Sequence, residues 1–293
     1  MTGFLILDKP EGLTSFSAVS RVKRLTGSKK AGHTGTLDPL ATGVLVVALG
    51  CAARFIELLP DSGKQYKASF VTGFCTDTLD ITGTVTRKTG VTASLEQVRS
   101  VLPLFTGDIM QLPPMYSAVK KDGVRLYELA RKGIDAQRQP RPVTVCSITA
   151  DADGDEFTLD ISCSAGTYVR TVIDDIGAKL GCGAVMTKLR RTRSNGFLIQ
   201  NSLTLSELEA LAASGTVASS IISVERAFDS FPALSVTAAQ AVRFSNGGEL
   251  MRERLGTQPY SPGLYRVYSP QGGFLGLGEL EADALKVKRL LTE

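Results

Sequence analysis

The polar side chains best suited to chemistry are concentrated in one short stretch, residues 30–43. This stretch holds His33, the only histidine of the chain, together with Asp38, three threonines and three glycines. The Asp38-Pro39 step favours a turn and disfavours helix, and an apolar run at 44–49 follows it. We therefore expect Asp38 in a fixed loop beside a buried strand, where functional residues are often found. An aspartate before proline is also a common turn former.

Other short motifs accompany this stretch along the chain. Asp8-Lys9-Pro10 precedes it, and it is followed by KQYK at 64–67, QLPPMYSA at 111–118 and GTYVRT at 166–171. Several motifs in a set order are far more specific than any one of them. Together they closely resemble the signature of the TruB-type pseudouridine synthases, whose bacterial members modify uridine 55 of tRNA.

The resemblance implies an isomerisation of uridine 55, in the T-loop of tRNA, to pseudouridine. In that reaction the C1′–N1 bond is broken, the base turns, and C5 is joined to C1′. The reaction involves no redox change and no net hydrolysis, so we expect no cofactor. Asp38 would be the essential catalytic residue. A carboxylate can serve as a nucleophile at C1′ or as a base near the sugar, and the sequence leaves both roles open.

Three further residues are expected to share the site with Asp38. Arg170 could form an i, i+4 pair with Asp174, but its motif favours Asp38 as the partner, and a guanidinium there would keep the carboxylate ionised. A strand tyrosine such as Tyr66 is usually half-buried packing. The resemblance instead places Tyr66, as a further catalytic residue, against the target base. It places Tyr168 at the border of the same pocket.

The remaining candidates in the motifs are expected to contact RNA. The resemblance implies that His33 fills the space left when the target base leaves its stack. Lys9 and Lys30 are expected to contact phosphate or to support the pocket. One histidine and five scattered cysteines predict no metal site. The same cysteine pattern favours a reduced, cytoplasmic chain.

Positive charge is clustered rather than spread along the chain. Residues 116–142 contain seven Lys or Arg and three acids, and residues 188–193 contain four cations and no acid. Such clusters are typical of a polyanion-binding surface, although each could equally be an ordinary solvated face. Residues 116–142 are expected to form a mobile thumb that clamps RNA. The candidate RNA-binding cations of the two clusters are Lys120, Lys121, Arg131, Lys132, Arg190 and Arg191.

The hydrophobic pattern predicts an α+β fold. Strands are expected at 4–7, 44–49, 66–72, 84–86, 143–149, 156–163 and 184–189, with 84–86 paired to 66–72, and helices at 15–25, 55–59, 95–102, 124–132, 169–180 and 206–213. We expect a catalytic domain at 1–230, with a central, mostly antiparallel sheet flanked by helices. The resemblance implies that residues 231–293 form a small β-rich, PUA-like RNA-binding module.

Composition narrows the class of protein. The chain is 43% hydrophobic, which allows a sizeable core. No apolar stretch reaches the roughly 20 residues that span a bilayer, and no signal peptide is recognisable. We expect a monomeric enzyme that acts on the T-arm of tRNA without an obligatory protein partner. Two alternatives remain: a tRNA-folding chaperone in which catalysis is secondary, and a guide-RNA-dependent relative acting on ribosomal RNA.

Overall fold

The computed structural model describes residues 1–256 and 260–292. The strands of these residues are β1 (Gly3–Lys9), β2 (Ala31–His33), β3 (Thr42–Leu49), β4 (Lys64–Thr72), β5 (Phe74–Thr76), β6 (Val85–Lys88), β7 (Gly107–Gln111), β8 (Lys120–Lys121), β9 (Val124–Arg125), β10 (Arg141–Asp153), β11 (Glu156–Cys163), β12 (Ala184–Ser194), β13 (Phe197–Leu198), β14 (Ala233–Ser235), β15 (Leu250–Met251), β16 (Gly263–Tyr268), β17 (Phe274–Leu280) and β18 (Ala284–Leu290). The α-helices are α1 (Ser15–Leu25), α2 (Leu95–Val101), α3 (Leu126–Ala130), α4 (Val169–Lys179), α5 (Leu205–Ala213), α6 (Val224–Ala227) and α7 (Ala238–Ser245).

A large central sheet organises the first 230 residues. Its strand order is β1-β3-β12-β4-β11-β10-β7. Every neighbouring pair along this path is antiparallel except β3 and β12, which run parallel. The predicted mixed α/β fold with a mostly antiparallel sheet is therefore confirmed. The β3–β12 pairing places the loop that precedes β3 beside the charged second half of β12.

Apolar clusters cover one face of this sheet and part of the other. On one face, buried residues of β4 and β11 join the apolar stripes of α1 and α4 in the main core, as the period-2 and 3.6-residue patterns require. On the other face, Phe4 and Val46 pack with Phe55, from the 3-10 helix Gly50–Leu58, and with Phe228. At the β1–β3 end the strands are therefore covered on both sides, which fixes the loop that precedes β3.

A second sheet follows in the C-terminal part of the chain. Its order is β14-β16-β17-β18-β15, and its own core includes Leu234, Phe244 and Leu285. Leu277 of β17 belongs instead to the apolar cluster around Phe55, so the second sheet packs against the first. The division at residue 230 and the RNA-binding role of this module stay predictions.

Most predicted elements are present, and two were wrong. Residues 84–86 do not pair with β4: β6 pairs with β5 in a separate two-stranded ribbon, because the chain turns away at Gly73. Residues 124–132 are not one helix. They begin as half of the β8–β9 hairpin, whose turn is Asp122-Gly123 with positive φ at both positions, and only α3 is helical.

The length and hydropathy of the helices show whether any of them could cross a membrane. None of those in residues 1–256 and 260–292 is both long enough and apolar enough to cross a bilayer.

Candidate active site

A cleft of about 220 Å³ opens between the loop after β2 and the start of α4. Asp38, Tyr66, Tyr168 and Arg170 line it together. Asp38 lies in a loop and Tyr66 on the central strand β4. Tyr168 lies at the N-terminal end of α4, and Arg170 lies in the first turn of that helix. The structure therefore brings the predicted catalytic residues to one place, although about 130 residues separate the first from the last.

Lys9 and Ser15 hold the loop that carries Asp38, here called the Asp38 loop (residues 34–41). The Ser15 hydroxyl accepts a hydrogen bond from the Leu37 N–H at 2.7 Å and donates one to the Leu37 carbonyl at 2.9 Å. The Lys9 ammonium donates to the Leu13 carbonyl at 2.7 Å and reaches the Pro39 carbonyl at 3.4 Å. Because Lys9 and Ser15 are buried, these bonds are not exposed to competition from water.

Arg191 of β12 holds the same loop from the opposite side. Its guanidinium donates to the carbonyls of Val44 at 2.7 Å, Gly35 at 3.1 Å and Thr36 at 3.4 Å. The close approach of the strands requires Gly43, which has φ of +99° and where a Cβ would lie 2.2 Å from the Arg191 carbonyl oxygen. Any side chain at position 43 would push the two strands apart.

Asp38 forms an ion pair with Arg170. Arg170 Nε lies 3.0 Å from Asp38 Oδ2, so the alternative partner on the same helix, Asp174, is not used. The other guanidinium nitrogens donate to the carbonyls of Thr78 and Tyr116, each at 2.8 Å. The Arg170 side chain is only 5% exposed. Its direction is therefore set by three contacts from three different segments.

Asp80 is part of the same network and was not predicted. Its Oδ2 lies 3.7 Å from Arg170 Nη1, and its Oδ1 accepts hydrogen bonds from the hydroxyls of Thr78 and Thr82 at 2.8 and 2.6 Å. Asp80 lies on the turn after β5, where Leu79 has a positive φ of 65°. No periodic pattern marks such a turn residue as a neighbour of Arg170, so the sequence offered no signal for it.

The surroundings of Asp38 act on its pKa in opposite directions. Burial is the largest influence and raises the pKa of Asp38 above its ordinary value of 3.8. The Arg170 guanidinium lowers that pKa, and the Asp80 carboxylate raises it. The carboxylate is therefore more basic than a solvated aspartate while its position is fixed by an ion pair, which suits either a nucleophile or a base.

Aromatic rings and one amine complete the cleft. Burial raises the pKa of the Tyr66 and Tyr168 hydroxyls, so both stay neutral. Gln111 fixes Tyr168 by bonding both its N–H and its carbonyl, at 2.7 and 3.0 Å. Lys64 also lines the cleft, and burial lowers its pKa to about 8. Lys64 was not predicted, but it shares the strand face of Tyr66 two residues away.

His33 and Lys30, the two other candidates from residues 30–43, lie outside the cleft. His33 is half-buried in β2 and its pKa is lowered, first by burial and then by Arg191, so it is neutral. Its Nδ1 is buried without a hydrogen-bond partner. Lys30 is exposed at the beginning of β2. Their contacts with RNA stay predictions.

Two predicted RNA contacts require correction. Lys9 and Arg191 are fully buried, and their charges face loop carbonyls, so neither can reach a phosphate in this conformation. For Lys9 the structure supports the other expectation, support of the pocket. Arg190 forms a two-pronged pair with Asp8 at 3.1 and 2.7 Å, so its charge is partly compensated, and its contact with RNA stays a prediction. The sequence could not reveal this because Asp8 is 182 positions away.

The predicted thumb segment (residues 116–142) differs from the β12 cluster. Lys120, Arg131 and Lys132 are exposed, and Lys121 is partly exposed. None of these four forms an ion pair with an acid in the described part of the chain. The segment is anchored by Leu126, which is 2% exposed. Its free charge is available to a polyanion.

Metal ligands are not clustered in this site. Within residues 1–256 and 260–292, no group of three or more His, Cys, Asp or Glu side chains could hold a metal ion.

Known proteins resemble this chain along its whole length. The TruB family pseudouridylate synthase N-terminal domain matches residues 23–169. The tRNA pseudouridylate synthase B C-terminal domain matches 170–229, and the pseudouridine synthase II TruB C-terminal domain matches 232–291. A tRNA pseudouridine synthase B from Methylobacillus flagellatus is 41% identical, with 99% of this chain and 95% of that protein covered. One from Aromatoleum aromaticum is 43% identical, covering 99% and 92%.

Solved structures share the fold. A chain of a Cbf5-Nop10-Gar1 complex matches with a TM-score of 0.73 and 26% identity, covering 99% of this chain and 85% of that one. A chain of an H/ACA RNP bound to a substrate RNA also has a TM-score of 0.73, at 24% identity, and covers 100% and 86%. With domains matched in order and relatives above 40% identity along nearly the full length, this chain belongs to the TruB family of pseudouridylate synthases.

Proposed function

We propose that this enzyme converts uridine 55 in the T-loop of tRNA to pseudouridine, with Asp38 as the catalytic group. The observation that carries the proposal is the Asp38–Arg170 ion pair, 3.0 Å long, at the base of a cleft that Tyr66 also lines. A carboxylate held in this way is oriented before substrate arrives. The names of the full-length relatives support tRNA as the substrate.

Each side chain of the site has a distinct task in this proposal. The Asp38 carboxylate acts at the ribose, as a nucleophile at C1′ or as a base. The C1′–N1 bond breaks, the detached base turns, C5 bonds to C1′, and a proton passes from C5 to N1 overall. Arg170 keeps Asp38 ionised and directed at the sugar. The Tyr66 ring stacks on the target base.

The target nucleotide must leave the T-loop stack to enter the cleft. Extrusion of a base costs a few kcal/mol, and stacking on an aromatic ring returns about 1–3 kcal/mol. Tyr66 supplies that ring inside the cleft, and His33, neutral and close to the Asp38 loop, fills the space left in the RNA. The exposed cations of the thumb segment and Lys30 hold the phosphates.

A single experiment tests the proposal. Purified protein is incubated with an unmodified tRNA transcript in EDTA, and pseudouridine is mapped by sequencing. We expect the chain alone to modify position 55. This is the result expected of a monomeric cytoplasmic enzyme that needs no cofactor. Modification only after a guide RNA and protein partners are added would favour the guide-dependent alternative. Improved tRNA folding with no pseudouridine at any position would favour the chaperone.

A further inference from the structure

An unassigned basic surface begins beside the Asp38 loop. Between residues 12 and 37 the sequence contains five Lys or Arg and no acid. Four of these cations, Lys23, Arg24, Lys29 and Lys30, are exposed. None of the four forms an ion pair with any described residue. Arg21 is the exception, at 3.3 Å from Glu209. This amount of uncompensated charge in so short a segment exceeds that of the β12 cluster.

The same surface carries an aromatic ring that packing does not explain. Phe16 in the first turn of α1 is 79% exposed, the most exposed of the large apolar side chains in the described residues. The next residues on its face of α1 are Ser20, Lys23 and Arg24, because positions four, seven and eight residues apart share one face of a helix. At 1.5 Å per residue, Phe16 and Lys23 are about 10 Å apart along the axis.

The position of this face relative to the cleft is fixed. Phe16 is adjacent to Ser15, whose hydroxyl is bonded in both directions to the backbone of Leu37. Leu37 precedes Asp38. The Thr14 hydroxyl caps the same end of α1 by accepting from the Ser17 N–H at 3.0 Å. The start of α1 is therefore fixed beside the Asp38 loop, with Phe16 in the first turn of the helix and Lys23 and Arg24 in its last turn.

We propose that this surface, made of Phe16, Lys23 and Arg24 of α1 and of Lys29 in the loop that follows α1, is a docking surface for the substrate RNA next to the target nucleotide. The Phe16 ring stacks on one further unpaired base, and the three cations contact phosphates of the same strand. The surface rests on the proposed function, since it needs an RNA substrate in the cleft. It is an RNA-binding area separate from the thumb segment and from Lys30.

The chemistry of the surface favours RNA over a protein partner. An exposed aromatic ring bordered by unpaired cations is the arrangement that binds single-stranded nucleic acid, where bases stack and phosphates are neutralised. A protein interface of useful size would need a wider apolar patch than a single ring. Unpaired bases that can be splayed out are also the usual targets of RNA-binding proteins.

Two variants and a matched control test the proposal. Phe16→Leu keeps an apolar side chain but removes the aromatic face, and Lys23→Ala/Arg24→Ala/Lys29→Ala removes three charges. Lys67→Ala/Lys88→Ala/Lys179→Ala removes three exposed charges from other parts of the surface; Lys67 lies on the strand face opposite Tyr66. Urea unfolding of each variant confirms that the fold is intact, which is expected because the substituted side chains are exposed.

Binding and turnover are then measured with a T-arm stem-loop and with full-length tRNA. Phe16→Leu should weaken binding at least fivefold, the lower end of the effect of losing one base–aromatic stack. It should also abolish the fluorescence quenching of 2-aminopurine placed at one unpaired T-loop position. The triple α1 variant should lower the slope of log Kd against log salt by about 0.7–0.9 per lost contact, while the control keeps the parental slope.

The outcomes separate this proposal from the proposed function. If parental protein forms pseudouridine and both α1 variants bind as tightly as the parent, with unchanged salt slope and quenching, the docking surface is wrong and the function stands. If parental protein forms no pseudouridine in tRNA, the proposed function fails. Equal loss of affinity in the control and α1 variants would show a general charge effect and would also overturn the docking surface.

Discussion

The buried and the exposed cations of this enzyme cannot be distinguished in the sequence, but they have different roles in the structure. Lys9, Arg170 and Arg191 are almost completely buried, and their charges bind carbonyls or the Asp38 carboxylate. Lys120 and Arg131 of the thumb segment are exposed and have no acidic partner among the described residues. The first group shapes the site, and the second is left free for a polyanion.

The difference shows how a local charge count can mislead. Residues 188–193 contain four cations without an acid, which predicts a basic patch. In the fold, Lys188 pairs with Glu156, Arg190 with Asp8 and Arg193 with Asp61, and Arg191 is internal. A cluster is a binding surface only if its partners elsewhere in the chain do not reach it. Variants that act on one group and spare the other test this distinction.

The largest effect is expected at the carboxylate that the buried cations position. Asp38→Asn keeps the shape of the side chain but removes the nucleophile or base, so turnover should fall by at least about 10²- to 10⁴-fold. RNA affinity should change little, because exposed cations and loop shape dominate binding. Single-turnover pseudouridine formation and a filter-binding Kd measure the two quantities. Near-parental turnover in a folded variant would reduce Asp38 to a turn residue.

Substitution of Arg191 should lower the stability of the fold rather than the affinity for RNA. Arg191→Ala removes a buried guanidinium and leaves the carbonyls of Gly35, Thr36 and Val44 without that donor. The free energy of unfolding in urea should fall by about 3 kcal/mol or more. Arg190→Ala is the neighbouring control, since it breaks a partly exposed pair worth about 0–1 kcal/mol. Equal losses at the two positions would contradict the division into buried and exposed cations.

The thumb segment should show the reverse behaviour. Alanine at Lys120, Lys121, Arg131 and Lys132 should leave unfolding unchanged while lowering the salt slope of tRNA binding by about 0.7–0.9 per lost phosphate contact. The slope is obtained from Kd values at several salt concentrations. The Lys67→Ala/Lys88→Ala/Lys179→Ala protein serves as the control for charge loss. A parental slope in the thumb variant would mean that these side chains do not touch the RNA backbone.

The smallest effect is a shift in pH dependence. Burial raises the pKa of Asp38 above 3.8, so its ionised fraction, and with it kcat/KM, should fall on acidification before pH 3.8 is reached. Arg170→Gln removes a charge that lowers this pKa, so the acid limb of the residual activity should move to higher pH. Asp80→Asn removes a charge that raises the pKa, so the limb should move to lower pH. Shifts in the same direction would contradict the proposed network.

Local patterns were enough to predict the main elements. The apolar stripe of Val169, Val172, Ile173 and Ile176 predicted α4, and the alternation at 66–72 predicted β4 with Tyr66 on the covered face. Such patterns are reliable because side-chain direction repeats with the backbone period, whatever the rest of the chain does. The motifs also identified Asp38, Tyr66 and Arg170 as one site, which the cleft confirms as a grouping while their catalytic roles stay predictions.

Only the tertiary structure decided which charges are free and which are enclosed. The contacts of Arg170 with Asp80 and of Arg190 with Asp8 join residues that are 90 and 182 positions apart. The buried Lys9 reaches the carbonyl of Pro39 in a loop of irregular backbone. No periodicity encodes such contacts. The sequence by itself determined most of the elements and identified Asp38, Tyr66, Tyr168 and Arg170 as site residues, because both depend on short-range pattern and motif. The fold determined their electrostatics, because burial and distance arise only when distant segments pack together.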